Sequence, residues 1–250
     1  MRLLKYALLV SIVAIVGGQA NAQTKPRPAK RAPQAKANSI PRSGVVIDET
    51  LSVLRKEPSL YAEQVHRMQR GRKVQILGRA EADGVTFYKV VVPPKNYGWV
   101  QSDAVFTASR QGDEDRFKQL LGQMSGFDQI EMIAEFFSLY PDSKYRPELL
   151  LLFGNSIEAM APSLSKTAAG RLKKGEMEAS GAPIHSYYLN FNYLDRYRKL
   201  GIIFLFDPKA KQYHYDGASW LEILKRFPDS AQAADAQKRV NDLKAIMGVR

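Results

Sequence analysis

LYPDSKYR (139–146) and RFPDSAQA (226–233) carry the same aromatic-Pro-Asp-Ser core at a spacing of 87 residues. Proline pushes the residue before it out of the α region, so each core ends a helix. The Ser that follows is a residue type that caps the next helix. Each copy therefore reads as a corner between two helices. Upstream of the first, Ile130, Ile133, Ala134 and Phe137 recur at i, i+3, i+4 and i+7, which gives one apolar helical stripe. Downstream, Ser143 is placed to cap a helix through PELLLLFGNSIEAM (147–160). A shift of 87 lays Trp220, Ile223, Leu224 and Phe227 on Ile133, Phe136, Phe137 and Tyr140. The closing helix places Ala233, Ala236, Val240, Leu243 and Met247 on one seam. Agreement of the stripe as well as the turn marks a repeated unit. An earlier helix from Asp113 to Met124 opens with three acids, which oppose its macrodipole.

LEILKRFPDSAQAADAQKRV (221–240) resembles the tetratricopeptide-like helical repeats of exported bacterial proteins. That resemblance implies helices packed back on one another and a surface that takes a protein partner. A unit of such repeats spans about 34 residues, so two units leave roughly 19 of the 87 as surplus. The surplus falls between Gly181 and Gly217. There SYYLNFNYLDRYRKL (186–200) reads as a helix with an aromatic face, and GIIFLFDPKAKQYHYDG (201–217) as an inserted β-hairpin. The hairpin is either a binding element or a lid over helix ends.

The first half has another texture. LSVLR (51–55), KVQIL (73–77), TFYKVVV (86–92) and YGWV (97–100) are short runs rich in β-branched and aromatic residues. Turn signals separate them at Glu57-Pro58-Ser59, Arg70-Gly71, Ala82-Asp83-Gly84 and Pro93-Pro94. Several short strands in so little chain predict a small β-barrel. In their order, LSVLRKEPSLYAEQVHRMQRGRKVQILG, FYKVVV and YGWVQSDAV are similar to the bacterial Src-homology-3-like domain, over about residues 45–106. The resemblance implies a non-catalytic module that binds peptidoglycan, another envelope polymer or a protein segment. Aromatic faces give rigid contact area, so the groove candidates are Tyr61, Tyr88, Tyr97 and Trp99. Tyr61 and Tyr97 fall in expected loops and Trp99 in a closing strand. Phe87 and Tyr88 alternate, so only one of them is expected in the core.

At the N-terminus MRLLK carries two cations, residues 6–16 are almost wholly apolar, and Ala20-Asn21-Ala22 offers the small-x-small pattern of a signal peptidase site. The apolar run falls short of the roughly 20 residues that cross a bilayer, so no stable transmembrane segment is expected after cleavage. QTKPRPAKRAPQAKANSIPRS (23–43) is rich in Pro, Ala and Lys/Arg without apolar periodicity and reads as a disordered basic tether. It serves either as an attachment to anionic envelope material or as a solubilising spacer. The net charge of +12 is concentrated here: Arg2, Lys5, Lys25, Arg27, Lys30, Arg31, Lys36 and Arg42 supply eight of it. The remainder is nearly balanced, which argues against a nucleic-acid groove.

There are no cysteines, which excludes disulfides, thiol nucleophiles and thiolate zinc sites. His66, His185 and His214 are far apart and in no metal-ligand spacing, and there is no Gly-x-Ser-x-Gly elbow or phosphate-binding glycine loop. Glu176 and Glu178 are two apart and share no helical face. No catalytic residue, metal or cofactor is therefore assigned. The expected architecture is multidomain all-β plus all-α: signal peptide 1–22, linker 23–43, Src-homology-3-like β-barrel 44–108 and tetratricopeptide-like α-helical domain 109–250 with an inserted hairpin. The expected function is a non-catalytic, extracytoplasmic (periplasmic or secreted) envelope adaptor. Two other readings stand beside it: a subunit or chaperone of an envelope assembly, and a divergent peptidoglycan-degrading enzyme. N-terminal sequencing of the exported protein is expected to begin at Gln23; a chain that retains Met1 refutes the cleavage.

Overall fold

The computed structural model describes residues 42–94 and 96–248, so the expected signal peptide and all but the end of the expected tether lie outside the described residues. Seven strands come first: β1 (Ser43–Val46), β2 (Val53–Arg55), β3 (Gln64–Arg67), β4 (Lys73–Ala82), β5 (Val85–Val92), β6 (Asn96–Gln101) and, after a 3-10 turn at Ser102–Ala104, β7 (Val105–Phe106). They form one sheet in the order β3-β2-β6-β5-β4-β1-β7, with every pairing antiparallel. On β4 the buried Val74 and Ile76 alternate with exposed Lys73, Gln75 and Leu77, the pattern of a half-buried strand. Leu54 of β2 and Val105 of β7, near opposite ends of the strand order, share a core with Val46, Ile76, Val90 and Val100. A sheet whose two ends meet in one core must curl around it.

The expected strands are present, and β4 runs on to Ala82. Sequence pattern alone missed β1 and β7, the one because it follows the tether and the other because it is two residues long.

Eight helices and one hairpin follow: α1 (Asp113–Leu121), α2 (Gly126–Leu139), α3 (Arg146–Arg171), α4 (Lys174–Ser180), α5 (Ile184–Leu189), α6 (Asp195–Arg198), β8 (Phe204–Asp207), β9 (Gln212–Tyr215), α7 (Ala218–Arg226) and α8 (Ala233–Met247). On α2 the fully buried positions are Ile130, Met132, Ile133 and Phe136, so the stripe is turned slightly from the expected one, and Ala134 and Phe137 lie at its margin.

The corner is duplicated bond for bond. In the first copy the amides of Tyr140, Ser143, Arg146 and Leu149 donate to the carbonyls of Phe136, Tyr140, Ser143 and Tyr145 at 2.8, 3.2, 3.1 and 2.9 Å. In the second, Phe227, Ser230, Ala233 and Ala236 donate to Ile223, Phe227, Ser230 and Gln232 at 2.8, 3.0, 3.1 and 3.0 Å. Ser143 does not cap α3, however. Tyr145 occupies that position without a side-chain bond. The Ser143 hydroxyl accepts from the Tyr145 amide at 3.0 Å and donates to Glu114 Oε1 at 2.6 Å, tying the corner to α1. The Ser230 hydroxyl is buried without a partner.

α3 runs through Pro162 well beyond the expected end at Met160. It crosses α7 closely because Gly154 faces Trp220: a Cβ there would stand 2.5 Å from Ser219 Oγ and against the indole nitrogen. Arg146 holds Glu222 across the same crossing at 2.9 Å, and Arg226, one turn along α7, holds the same carboxylate at 2.7 Å. The stretch 186–200 is not one helix but α5, a 3-10 turn at Asn192–Leu194 and α6, broken so that Tyr188, Phe191, Leu194 and Tyr197 all turn inward. One face of the hairpin is packed into the fold, while its tip at residues 208–212 is exposed. Phe204, Phe206, Tyr213 and Tyr215 belong to the main helical core, and the Tyr213 amide donates to Ser165 Oγ of α3 at 2.8 Å.

The sheet and the helices share a third core. Val45 and Ile47, on the other side of the β1 backbone from Val46, pack with Phe106 against Phe117, Leu121, Ile133 and Phe136. A polar staple reinforces this joint. Asp113, buried at the start of α1, accepts from the Thr107 amide at 2.8 Å and from Arg110 Nε at 2.7 Å. Arg110 also donates to the carbonyls of Ser102 and Val105, at 2.9 and 3.0 Å, and Tyr140 Oη donates to Thr107 O at 3.0 Å. Burial pushes the Asp113 carboxyl above its ordinary pKa, against the opposing pull of Arg110. Residues 40–250 accordingly form one compact unit.

The shared core predicts cooperative unfolding. In Trp220→Phe, urea transitions followed by Trp99 fluorescence, for the sheet, and by far-UV circular dichroism, for the helices, are expected to share one midpoint. Asp113→Ala strands the Thr107 amide and Arg110, and is expected to lower both midpoints together, with a loss of about 2–3 kcal/mol in unfolding free energy. A sheet transition that stays put would refute the coupling.

Candidate functional site

The four aromatic candidates separate into three environments. Tyr88 is 4% exposed and its side chain belongs to the core of the sheet. The guanidinium of Arg110 lies 6.0 Å from its ring centroid. The alternation argument expected one of Phe87 and Tyr88 to be free, yet Phe87 is 0% exposed as well. Opposite faces of a strand can both be buried when the strand is central, and β5 lies between β4 and β6. Tyr88 is therefore removed from the groove candidates.

Tyr97 and Trp99 are two residues apart on β6, so they share a face of the sheet, and Gly98 and Val100 between and beyond them take the other. Tyr97 is 60% exposed and Trp99 is half-buried. Pairing brings neighbours that sequence reasoning missed: Lys89 and Arg55 lie opposite Trp99 on either side, and Val91 lies opposite Tyr97. Lys89 Nζ stands 5.9 Å from the Trp99 ring centroid, within reach of a cation–π attraction. Arg55 is held by a bond from its Nη1 to Ala62 O at 2.8 Å. The result is a strip of two aromatic rings beside two cations. It can stack on a flat, partly apolar ligand face and donate hydrogen bonds to a carboxylate or carbonyl.

Tyr61 is 89% exposed but stands elsewhere. Its loop is pinned to the β4–β5 turn, where Asp83 Oδ2 accepts from Ser59 Oγ at 2.7 Å and from the Leu60 amide at 2.8 Å. Those bonds, from Ser59 first, hold the Asp83 carboxyl below the usual range. That turn begins β5, whereas Tyr97 pairs near its end. The two exposed tyrosines thus sit on different segments, and the Arg55–Ala62 bond brings the Tyr61 loop to the Arg55 edge of the strip.

Residues 50–105 match the family described as bacterial SH3 domain. No curated protein and no solved structure matches the chain. The SH3 segment runs from just before β2 to the start of β7, so it contains Tyr61, Tyr97, Trp99, Lys89 and Arg55. β1 lies outside it, yet fills the place between β4 and β7.

The histidines do not converge. His66 pairs with Leu54 across β3 and β2, His185 is exposed on α5, and His214 is buried with Nδ1 2.9 Å from Glu158 Oε1. Glu158 Oε2 also accepts from the Tyr215 amide at 2.6 Å, which fixes the hairpin to α3. Glu176 and Glu178 pair separately, with Lys173 and Lys174. Among the described residues, no group of three or more His, Asp or Glu side chains gathers as a metal-ligand set, and no helix is long and apolar enough to cross a membrane.

The strip in the SH3 segment depends on the close approach of β2 to β6. A Cβ on Gly98 would stand 2.7 Å from both Arg55 O and Leu54 Cγ, whereas one on Gly78 would meet nothing nearer than 3.8 Å. Gly98→Ala is expected to cost about 1–3 kcal/mol in urea unfolding, and Gly78→Ala less than half as much. Equal effects would show that β2 is not held against β6.

Proposed function

We propose that this protein is an exported, non-catalytic binding protein of the cell envelope whose SH3 segment holds peptidoglycan through the Tyr97–Trp99 strip. The coincidence of the bacterial SH3 match with that exposed aromatic strip carries the reading. Stacking on Trp99 and Tyr97 suits the C–H faces of sugar rings. Lys89 and Arg55 add cationic donors for the carboxylates of wall stem peptides. The leader ending at Ala22 and the basic tether after it favour an extracytoplasmic site next to anionic polymer.

The helical half is, in this reading, a tetratricopeptide-like support for a protein partner. The duplicated corner and the packing of α3 on both α2 and α7 favour such an arrangement. The long α3 and the embedded hairpin make it irregular. Together the two halves form an adaptor, with wall polymer on one side and protein on the other.

A pelleting assay with purified, insoluble peptidoglycan and the chain that begins at Gln23 tests this. Trp99→Ala and Tyr97→Ala are each expected to lower retention at least tenfold, with circular dichroism and melting retained for Tyr97→Ala. Tyr61→Ala, in a separate loop, is expected to leave retention within twofold. Retention of Tyr97→Ala equal to the parent would overturn the assignment of the strip.

A further inference from the structure

Where α3 ends and α5 begins, the helical half holds a concavity of about 660 Å3. That volume lies within the roughly 300–1,000 Å3 typical of small-molecule sites. Its walls combine three kinds of group. Tyr187 and Phe191 offer ring surface, Ser186, Asn190 and Asn192 offer hydroxyl and amide groups, and Arg171 offers a guanidinium. No carboxylate lines it, and among the described residues Arg171 makes no ion pair or side-chain hydrogen bond.

The cation is nonetheless held in place. The Arg171 guanidinium lies 4.7 Å from the Tyr193 ring centroid, and Tyr193 is stacked on Phe191 at 5.1 Å with 7° between the planes. Stacking fixes the plane of a guanidinium and leaves its edge donors free. Asn190 Nδ2 is anchored to Ser186 O at 2.8 Å, which orients that amide and leaves its carbonyl oxygen available. An exposed guanidinium without a carboxylate partner among the described residues is free to take an anionic ligand, and its fork fits a carboxylate. The concavity is open to solvent, so its ligand keeps one side hydrated. That suits a molecule with hydroxyls all round and an apolar ring face, and not an apolar acid, which gains from enclosure.

We propose that this pocket binds an acidic saccharide. Its carboxylate bonds to Arg171, its ring C–H face lies on Tyr187, and its hydroxyl or acetamido groups bond to Asn190, Asn192 and Ser186. The site is separate from the Tyr97–Trp99 strip and does not depend on the role assigned to it.

A 1H–15N NMR titration of the chain beginning at Gln23 tests the site with three soluble probes. They are N-acetylglucosaminyl-N-acetylmuramic acid, digalacturonic acid and the neutral disaccharide chitobiose. At least one acidic probe is expected to shift the Asn190 and Asn192 side-chain amides saturably, at least tenfold more tightly than chitobiose. The tighter acidic probe identifies wall glycan or a uronic-acid polymer as the source. Arg171→Ala is expected to weaken that probe at least tenfold with unchanged melting, and Arg171→Lys, which keeps the charge without the fork, to fall between. Tyr97→Ala is expected to leave the titration unchanged, so failure of the strip and failure of this pocket are read apart. Chitobiose binding as tight as the acidic probes, shifts confined to other residues, or no saturable shift with either acid would each overturn the proposal.

Discussion

Strand β1 is buried on both sides, and the arrangement of both halves follows from that. Val46 enters the core of the sheet, while Val45 and Ile47 enter the core shared with α1 and α2. Alternating side chains of one short strand thereby serve two hydrophobic interiors. Burial of each such side chain contributes roughly 1.5–3 kcal/mol, so neither core can lose the strand cheaply. The Asp113–Arg110 staple then orients the chain that leaves β7, so that α1 begins where Phe117 and Leu121 can cover Phe106. The SH3 segment is in this sense not a bead on a string. Its last neighbours are supplied by residues on either side of it in sequence.

The helical half was legible wherever a local signal had a single cause. Pro141 and Pro228 end helices in any tertiary setting, and the corners they make agree down to the hydrogen bonds. Ser143 was misread because its hydroxyl had a competing partner, Glu114, which no local pattern reveals. The hairpin was legible as a hairpin, since Asp207-Pro208 interrupts two aromatic runs. Its depth was not, because burial depends on what α3 presents to it.

The candidate strip divides along the same line. Tyr97, expected in a loop, lies on β6 and shares a face with Trp99 by the period of a strand. Lys89 and Arg55 join them through cross-strand register, which is fixed by distant pairing and by the bulge near Gly78. Tyr88 failed as a candidate for a related reason. Alternation predicts one wet face only for a sheet covered on one side, and at Phe87 and Tyr88 the strand is covered on both.

The placement of the hairpin also sets an order of events during synthesis. The inner face of α3, with Ile157, Ala161, Leu164 and Ala168, shares its core with Ile130 of α2 and with α5, β8, β9 and α7, of which all but α2 come later in the chain. Until residues 184–226 have emerged, much of that face stands without its later cover. A nascent chain of this kind stays unfinished until its last helices arrive.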